Sequence, residues 1–119
     1  MTADYAALVA AGAVTVAELD GDLAGVLVTH PEPAYLLVEN VAVAPRHQGR
    51  GVGRMLLEQA EEQARGLGLT ELRLYTNEAM VENLAMYPRL GYVEVGRNVE
   101  HGFARVHFRK PVAAADASE

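Results

Sequence analysis

A glycine- and arginine-rich segment constrains this chain more than any other: residues 45–54 read PRHQGRGVGR. The segment lies between an apolar run, 35–43, that predicts a β-strand and an amphipathic run, 55–67, that predicts an α-helix. Its glycines alternate with other residues, so the backbone can take positive φ and approach a ligand without interference from Cβ atoms. The unpaired N–H groups at the start of the following helix would point into the same loop. The pattern therefore predicts a binding site for a phosphate-bearing ligand between a strand and a helix.

Three arginines, Arg46, Arg50 and Arg54, concentrate positive charge in this segment although the chain as a whole is acidic. Cations near a helix N-terminus oppose the helix dipole, and an anionic ligand would remove that conflict. Two common phosphate-binding loops do not fit the spacing. A dinucleotide fingerprint requires glycine at its sixth place, which is Arg54 when counted from Gly49, and a Walker loop requires a lysine that this segment lacks. A glycine-rich turn without a ligand is the alternative interpretation.

Composition restricts the classes of protein to which the chain can belong. Its 119 residues are 50% hydrophobic, which is enough for one domain, predicted over residues 1–112 and followed by a disordered tail, 113–119. The net charge of −6 argues against nucleic acid as a partner. The sequence contains no cysteine, which excludes a disulfide framework and a cysteine nucleophile, and its four histidines show no metal-binding spacing. It has neither a basic leader nor an apolar run near ~18 residues, so we expect a cytoplasmic protein with no membrane partner.

Hydrophobic periodicity and turn residues predict an element order of α-β-β-β-α-β-α-β-β. The predicted helices cover residues 2–12, 55–67 and 77–90, and the predicted strands cover 14–19, 23–29, 35–43, 71–76, 92–96 and 103–109. The strand–helix–strand unit in the middle predicts one parallel crossover, whereas the hairpins on either side predict antiparallel pairs. A long polar connection that includes His101 is expected between the last two strands. The order predicts an α+β fold with a twisted, mixed and mostly antiparallel sheet and flanking helices.

Three segments resemble the GNAT superfamily of N-acetyltransferases. Residues 48–53, QGRGVG, match the family signature Gln/Arg-x-x-Gly-x-Gly/Ala, and residues 40–45, NVAVAP, are similar to its fourth strand. Residues 87–92, YPRLGY, are similar to its later Tyr-x-x-Leu-Gly-Phe/Tyr segment. The resemblance extends over residues 14–110 and implies a GNAT-like fold with a short N-terminal part.

The resemblance implies acetyl-coenzyme A (acetyl-CoA) as co-substrate and no metal. In the family, the glycine loop holds the pyrophosphate of coenzyme A (CoA), and the preceding strand splays from its neighbour to bind the pantetheine arm and the acetyl carbonyl. Backbone groups serve in both places, and at the strand they would act as an oxyanion hole. The residues implied are Val41, Ala42 and Val43 in the strand and Gln48, Gly49, Arg50, Gly51, Val52, Gly53 and Arg54 in the loop.

Tyr87 lies where the family places a tyrosine that protonates the departing thiolate. A phenol with an ordinary pKa near ~10 can perform that step, and a core aromatic residue is the alternative interpretation. Pro88 departs from the family pattern and predicts a helix kink at residues 86–87. One turn earlier, Asn83 is a candidate either for contact with the cofactor or for a solvated helix residue.

Glu39 is the candidate general base, which would deprotonate an ammonium substrate directly or through water. A hydrogen-bonded structural carboxylate and a recognition site for a cationic acceptor are the other two interpretations. Glu78 and Glu82 are instead predicted to be favourable charges at a helix N-terminus. His107 is predicted to be a strand residue.

The implied function is acetyl-CoA-dependent N-acetylation, with direct transfer to a primary amine of a small molecule or peptide. Two alternatives stay open: a non-catalytic module that binds CoA for regulation, and a transferase that uses another acyl-CoA such as succinyl-CoA. The family usually has a strand and two helices ahead of the hairpin at residues 20–22, and only a short segment precedes that hairpin here. Either the single predicted helix at residues 2–12 forms this wall of the acceptor site, or a partner subunit supplies it. Because so little of the chain covers one edge of the sheet, we expect a homodimer.

Overall fold

The computed structural model describes residues 6–11 and 13–113. That part of the chain forms strands β1–β7, helices α1 and α2, and one 3-10 turn at Pro45–His47. The elements are β1 (Ala6–Ala11), β2 (Val14–Leu19), β3 (Asp22–Pro31), β4 (Leu36–Val43), α1 (Val52–Gly66), β5 (Glu71–Asn77), α2 (Val81–Arg89), β6 (Val93–Glu100) and β7 (Phe103–Pro111).

One sheet contains all of these strands in the order β1-β2-β3-β4-β5-β7-β6. Strands β4 and β5 are parallel and are connected through α1, whereas the other neighbouring pairs are antiparallel. The predicted α+β fold, with one parallel crossover in a mostly antiparallel sheet, is confirmed. The crossover places the glycine-rich segment at the carboxyl end of a central strand.

Both helices cover the same face of the sheet. Phe108 of β7 packs against Tyr87 of α2, with ring centroids 5.5 Å apart. Two residues further along β7, and thus on the same face, Lys110 forms a 2.7 Å ion pair with Glu61 of α1. The largest residues buried between this face and the helices include Leu27, Leu36, Leu56, Leu72 and Phe108.

The opposite face of the sheet carries a band of valines and is covered by no helix of the described residues. Thr15 of β2 points toward the helices, because its hydroxyl accepts a hydrogen bond from Gln63 of α1. The neighbouring side chains therefore point the other way: Val14 pairs with Val28 of β3, and Val16 pairs with Val26. Val14 is 41% exposed. This apolar face is where a further layer of structure could pack.

The predicted N-terminal helix is wrong over residues 6–11, which form β1. Alanine favours a helix, but each residue of β1 is paired with β2, and this pairing satisfies backbone groups that the helix would otherwise satisfy. Tertiary pairing therefore overrides intrinsic propensity at this edge. The rest of the predicted helix, residues 2–5 and Gly12, lies outside the described residues.

The long connection predicted between the last two strands is also wrong. Strand β6 continues to Glu100 and β7 begins at Phe103, so only His101 and Gly102 connect them. His101 has a φ of 53° and Gly102 a φ of 82°, which is the pattern of a two-residue hairpin turn with positive φ at both places. Most of the predicted tail, residues 114–119, lies outside the described residues.

Helix α2 begins four residues later than predicted and is continuous through Tyr87 and Pro88 to Arg89. The kink predicted at residues 86–87 does not interrupt it. Pro88 lies in the last turn, where the chain leaves the helix through bonds from the N–H groups of Leu90 and Tyr92 to the carbonyl of Tyr87. The proline therefore removes a single hydrogen bond near a helix end, where the loss matters least.

Candidate active site

A cleft opens between the two parallel strands at the centre of the sheet. β4 and β5 pair only where Leu36–Val38 faces Leu72–Leu74, although β4 continues to Val43 and β5 to Asn77. Beyond that point β4 remains paired with β3 and β5 with β7. The two strands therefore diverge, and β4 presents a backbone edge at residues 39–43 that is not paired with β5. Val41, Ala42 and Val43, which the resemblance implies as backbone ligands, all lie on this edge.

Glu39 lies at a β-bulge at the start of the cleft. In the β3–β4 register Thr29 is opposite Val38 and Val28 is opposite Asn40, so Glu39 is the extra residue. The bulge changes the alternation, since residues 36 and 38 are buried before it and residues 41 and 43 pack on the core after it. The Glu39 side chain is exposed and has no hydrogen bond or ion pair to any described residue. This argues against a hydrogen-bonded structural carboxylate.

The glycine-rich segment forms a tight loop at the mouth of this cleft. Gly49 and Gly51 have φ values of 82° and 81°, and no atom lies within 4 Å of the position where a Cβ would be. Gly51 is the N-cap of α1, and no side chain caps the helix. Gln48 donates a 3.3 Å hydrogen bond from Nε2 to the carbonyl of Val43, which closes the loop onto the end of β4. Uncapped N–H groups beside open space fit a phosphate group.

Two carboxylates from the β2–β3 turn face the arginines of this loop. Asp22 accepts a 2.8 Å hydrogen bond from Arg46, and the Asp20 carboxylate lies 3.6 Å from Arg50. Asp20 and Gly21 both have positive φ, which makes the turn tight enough to bring both carboxylates to the loop. The turn is predictable from its sequence as a hairpin, whereas its contact with the loop depends on the fold and was not predicted.

His47 connects the turn and the loop and was also missed. It is buried, and its Nδ1 lies 3.2 Å from a guanidinium nitrogen of Arg50. Because a guanidinium can only donate, Nδ1 accepts, and the ring hydrogen is on Nε2, which lies 3.8 Å from the Asp22 carboxylate. A buried residue in the middle of an exposed polar segment has no sequence signal, since its burial depends on the β2–β3 turn.

Tyr87 has a buried ring that packs against Tyr92 and Phe108, with centroids 5.5 Å away in each case. Burial raises the pKa of its hydroxyl above the ordinary value, so the group stays protonated at neutral pH. The aromatic packing agrees with the core interpretation and leaves the hydroxyl as a proton donor. Asn83, one turn earlier, donates from Nδ2 to the Thr76 hydroxyl of β5 at 3.2 Å. Its amide is therefore tied to the far side of the cleft.

The helix-free face beside the cleft carries a group of polar and aromatic side chains that the sequence analysis did not connect. Tyr75, the first residue of β5 beyond its pairing with β4, is opposite His107 of β7, and their rings are 5.8 Å apart. His107 is a strand residue, as predicted, and its Nε2 lies 2.9 Å from the side-chain oxygen of Asn98. With Nε2 donating to that oxygen, Nδ1 keeps its lone pair. Arg105 stacks 4.4 Å above the Tyr75 ring.

No group of three or more histidine or carboxylate side chains in the described part of the chain is arranged to hold a metal ion. Within residues 6–11 and 13–113, no α-helix combines the length and the apolar character that crossing a bilayer requires.

The splayed strands, the glycine loop and the uncapped helix define a mixed-sheet protein whose central strand ends at a loop with the geometry of a phosphate site. The family model of the acetyltransferase (GNAT) family matches residues 2–92. The chain belongs to this family.

The chain is also similar in sequence or in structure to individual acetyltransferases. Streptothricin acetyltransferase of Streptomyces lavendulae is 34% identical over 96 residues, which cover 79% of this chain and 48% of that protein. The crystal structure of a nourseothricin acetyltransferase is 32% identical with a TM-score of 0.79, over 84% of this chain and 65% of that one. A GNAT family acetyltransferase from Elizabethkingia anophelis, solved with acetyl-CoA bound, shares the fold at 18% identity with a TM-score of 0.73, over 83% of this chain and 75% of that one. The chain spans about half the length of the first curated relatives it matches, which are covered to 48% and 47%.

Proposed function

We propose that this chain is an acetyl-CoA-dependent N-acetyltransferase that moves an acetyl group directly to a primary amine of a small molecule or peptide. The observation that carries the proposal is the position of the cleft, which opens between β4 and β5 directly below the glycine loop. Family membership and the acetyl-CoA found in a protein of the same fold support the choice of co-substrate.

The loop would hold the pyrophosphate through the backbone N–H groups from Gly49 to Arg54. The positive φ values of Gly49 and Gly51 turn the backbone toward the ligand, and the open space at both positions admits it. The backbone edge of β4 that is not paired with β5 would bind the pantetheine arm and polarise the acetyl carbonyl. Its residues are Val41, Ala42 and Val43. The side chains of Val41 and Val43 pack on the core, whereas that of Ala42 is exposed. Only the backbone of these residues would be functional, so substitutions that keep it in place should be tolerated.

Glu39 would accept the proton of the incoming ammonium group, directly or through water. Its carboxylate is exposed at the start of the cleft and has no described residue as partner, which leaves it available to substrate. Bound acetyl-CoA supplies an activated thioester, so that the C–N bond to a neutral amine forms as the C–S bond breaks. The nitrogen then loses its second proton to water. Tyr87 would give its phenolic proton to the departing sulfur and regain one from water, since burial keeps that hydroxyl protonated.

The acceptor would approach from the helix-free face, where Tyr75 and His107 lie beside the cleft. Asn83 would assist on the other side, because its side-chain oxygen remains open to a pantetheine amide while its Nδ2 binds Thr76. We further propose a cytoplasmic homodimer, which the partly exposed valines of β2 and β3 support as an apolar contact surface. Light scattering at micromolar concentration tests the dimer, and a monomer would contradict it.

Gly51→Ala tests the site itself. A Cβ at φ 81° strains the loop and occupies the space beside the helix N-terminus, so we expect the affinity for acetyl-CoA to fall at least tenfold in calorimetric titration. Gly68→Ala is the matched control, because Gly68 has a similar φ of 75° and equally open surroundings at the other end of α1. Equal affinities in the two variants would contradict the proposed cofactor site. Titration with succinyl-CoA tests the alternative acyl donor.

A further inference from the structure

A cavity of about 270 Å³ lies between α1, α2 and β7, outside the cleft. Its lining is Arg54, Leu57, Glu58 and Glu61 of α1, Arg89 and Leu90 at the end of α2, Tyr92, and Lys110 of β7. This volume is smaller than a typical small-molecule site, so the cavity suits one end of a ligand rather than a whole one.

The two arginines in this cavity differ from the others in the chain. The sequence contains nine arginines, all within the described residues, and seven of them pair with carboxylates within 4.0 Å. Among the described residues, Arg54 and Arg89 have no such partner. The cation–carboxylate pair of Lys110 and Glu61, at 2.7 Å, is already neutral. The negative charge of Glu58 offsets one of the two arginine charges, so the lining of the cavity has one excess positive charge.

Two guanidinium groups without carboxylate partners that line one cavity repel each other. A dianion bound between them would attract each of them and outweigh this repulsion. Arg54 is also disfavoured where it stands, since it occupies the third position of α1 and opposes the helix dipole. Guanidinium groups bind phosphate oxygens through two parallel N–H donors. Two guanidinium groups without carboxylate partners therefore fit a phosphate group as their ligand.

Arg54 connects this cavity to the loop. It lies three residues after Gly51, so its backbone belongs to the uncapped first turn while its side chain lines the cavity. If one phosphate of a ligand is bound at the loop, a second phosphate of the same ligand can therefore reach the cavity. CoA carries such a pair: a pyrophosphate on the 5′ position of its ribose and a phosphate monoester on the 3′ position, with a charge near −2 at neutral pH.

On the basis of the proposed function, we propose that Arg54 and Arg89 bind the 3′-phosphate of CoA in this cavity. The cavity then acts as a specificity site. It distinguishes CoA thioesters from dephospho-CoA thioesters and from acyl groups carried on phosphopantetheine alone, neither of which has a 3′-phosphate.

Calorimetric titration of the full chain with CoA and with dephospho-CoA tests this assignment. We expect CoA to bind about tenfold more tightly, the effect of one or two charge-assisted hydrogen bonds at a partly exposed site. In Arg89→Gln, the affinity for CoA should fall about tenfold toward that for dephospho-CoA, whose own affinity should not change. Arg97→Gln removes the same charge from an exposed arginine on β6 and should leave both affinities unchanged.

Equal affinities of the unmodified chain for the two ligands would overturn the assignment while leaving the proposed function in place. An Arg89→Gln variant that loses affinity equally for both ligands would also overturn it, since the arginine would then act on a group that the ligands share. Absence of binding by either ligand would overturn the proposed function as well. The comparison of ligands on the unmodified chain does not depend on any variant folding.

Discussion

Asp22 accepts a 2.8 Å hydrogen bond from Arg46, and this contact joins the β2–β3 turn to the glycine loop. The same carboxylate lies 3.8 Å from the buried Nε2 of His47, whose other nitrogen accepts from Arg50. The turn therefore orders two cations of the loop before any ligand binds. Ordering in advance lowers the entropic cost of binding.

Removal of this contact should weaken cofactor binding. We expect Asp22→Ala to raise the dissociation constant of acetyl-CoA about threefold, in keeping with the modest strength of an exposed ion pair, and to leave kcat unchanged. Asp22→Asn keeps an acceptor oxygen for Arg46 and should restore the affinity. An Asn variant as weak as the Ala variant would argue that charge alone, and not loop order, is responsible.

Glu39→Gln should lower kcat about a hundredfold at neutral pH without changing the affinity for acetyl-CoA, since a general base contributes roughly this factor or more. The loss should shrink at high pH, where the acceptor amine is already neutral. Steady-state kinetics across pH provides the measurement. His107→Gln is the matched comparison, because His107 also presents a free lone pair beside the cleft. If His107→Gln abolished turnover while Glu39→Gln did not, the assignment of the base would be wrong.

Tyr87→Phe keeps the ring contacts with Tyr92 and Phe108 and removes only the hydroxyl. We expect kcat to fall at least tenfold, with little change in acetyl-CoA affinity or in Tm. Because burial raises the pKa of Tyr87, its ionisation should produce no decline in activity below about pH 10. An unchanged kcat would leave Tyr87 with a packing role alone.

Tyr92 provides a prediction on stability. Its hydroxyl is buried without a hydrogen-bond partner among the described residues, and burial, followed by the charge of Glu61, raises its pKa. The native state therefore resists ionisation of Tyr92, whereas the unfolded state loses this proton near pH ~10. Stability should be intact below that pH and should decrease as the pH rises above it.

Tyr92→Phe should remove this alkaline loss and raise Tm slightly at neutral pH, since an unsatisfied buried hydroxyl is no longer present. Thermal unfolding between pH 8 and 11 provides the measurement. A Tm for Tyr92→Phe well below that of the unmodified chain at neutral pH would show that the hydroxyl has a partner, such as an ordered water.

The parts of the fold that were predicted correctly rest on local pattern. The apolar run before the loop, the glycines and the period of α1 are each readable within about fifteen residues, and together they locate the loop between β4 and α1. β1 was missed because an alanine-rich segment has no strand signal of its own and becomes a strand only by pairing with β2. The β6–β7 turn was missed because His101, a non-glycine residue, adopts positive φ there.

The parts of the site that could not be predicted depend on long-range register. The β-bulge at Glu39 is defined only by the pairing of β4 with β3. Asp22 and Arg46 are 24 residues apart in the sequence. Arg54 and Arg89 line one cavity only because both helices pack on one face of the sheet. Neither pair has a local pattern that sequence periodicity can detect.

The most direct test of the proposed function is the stoichiometry of acetyl transfer. The purified chain would be incubated with acetyl-CoA and a panel of primary amines and N-terminal peptides, while free thiol is measured by absorbance and acetylated amine by mass spectrometry. We predict that at least one acceptor yields one acetylated amine per thiol released, at a rate that Glu39→Gln reduces. Tight binding of acetyl-CoA without thiol release on any amine would contradict the enzymatic assignment and identify a CoA-binding module instead.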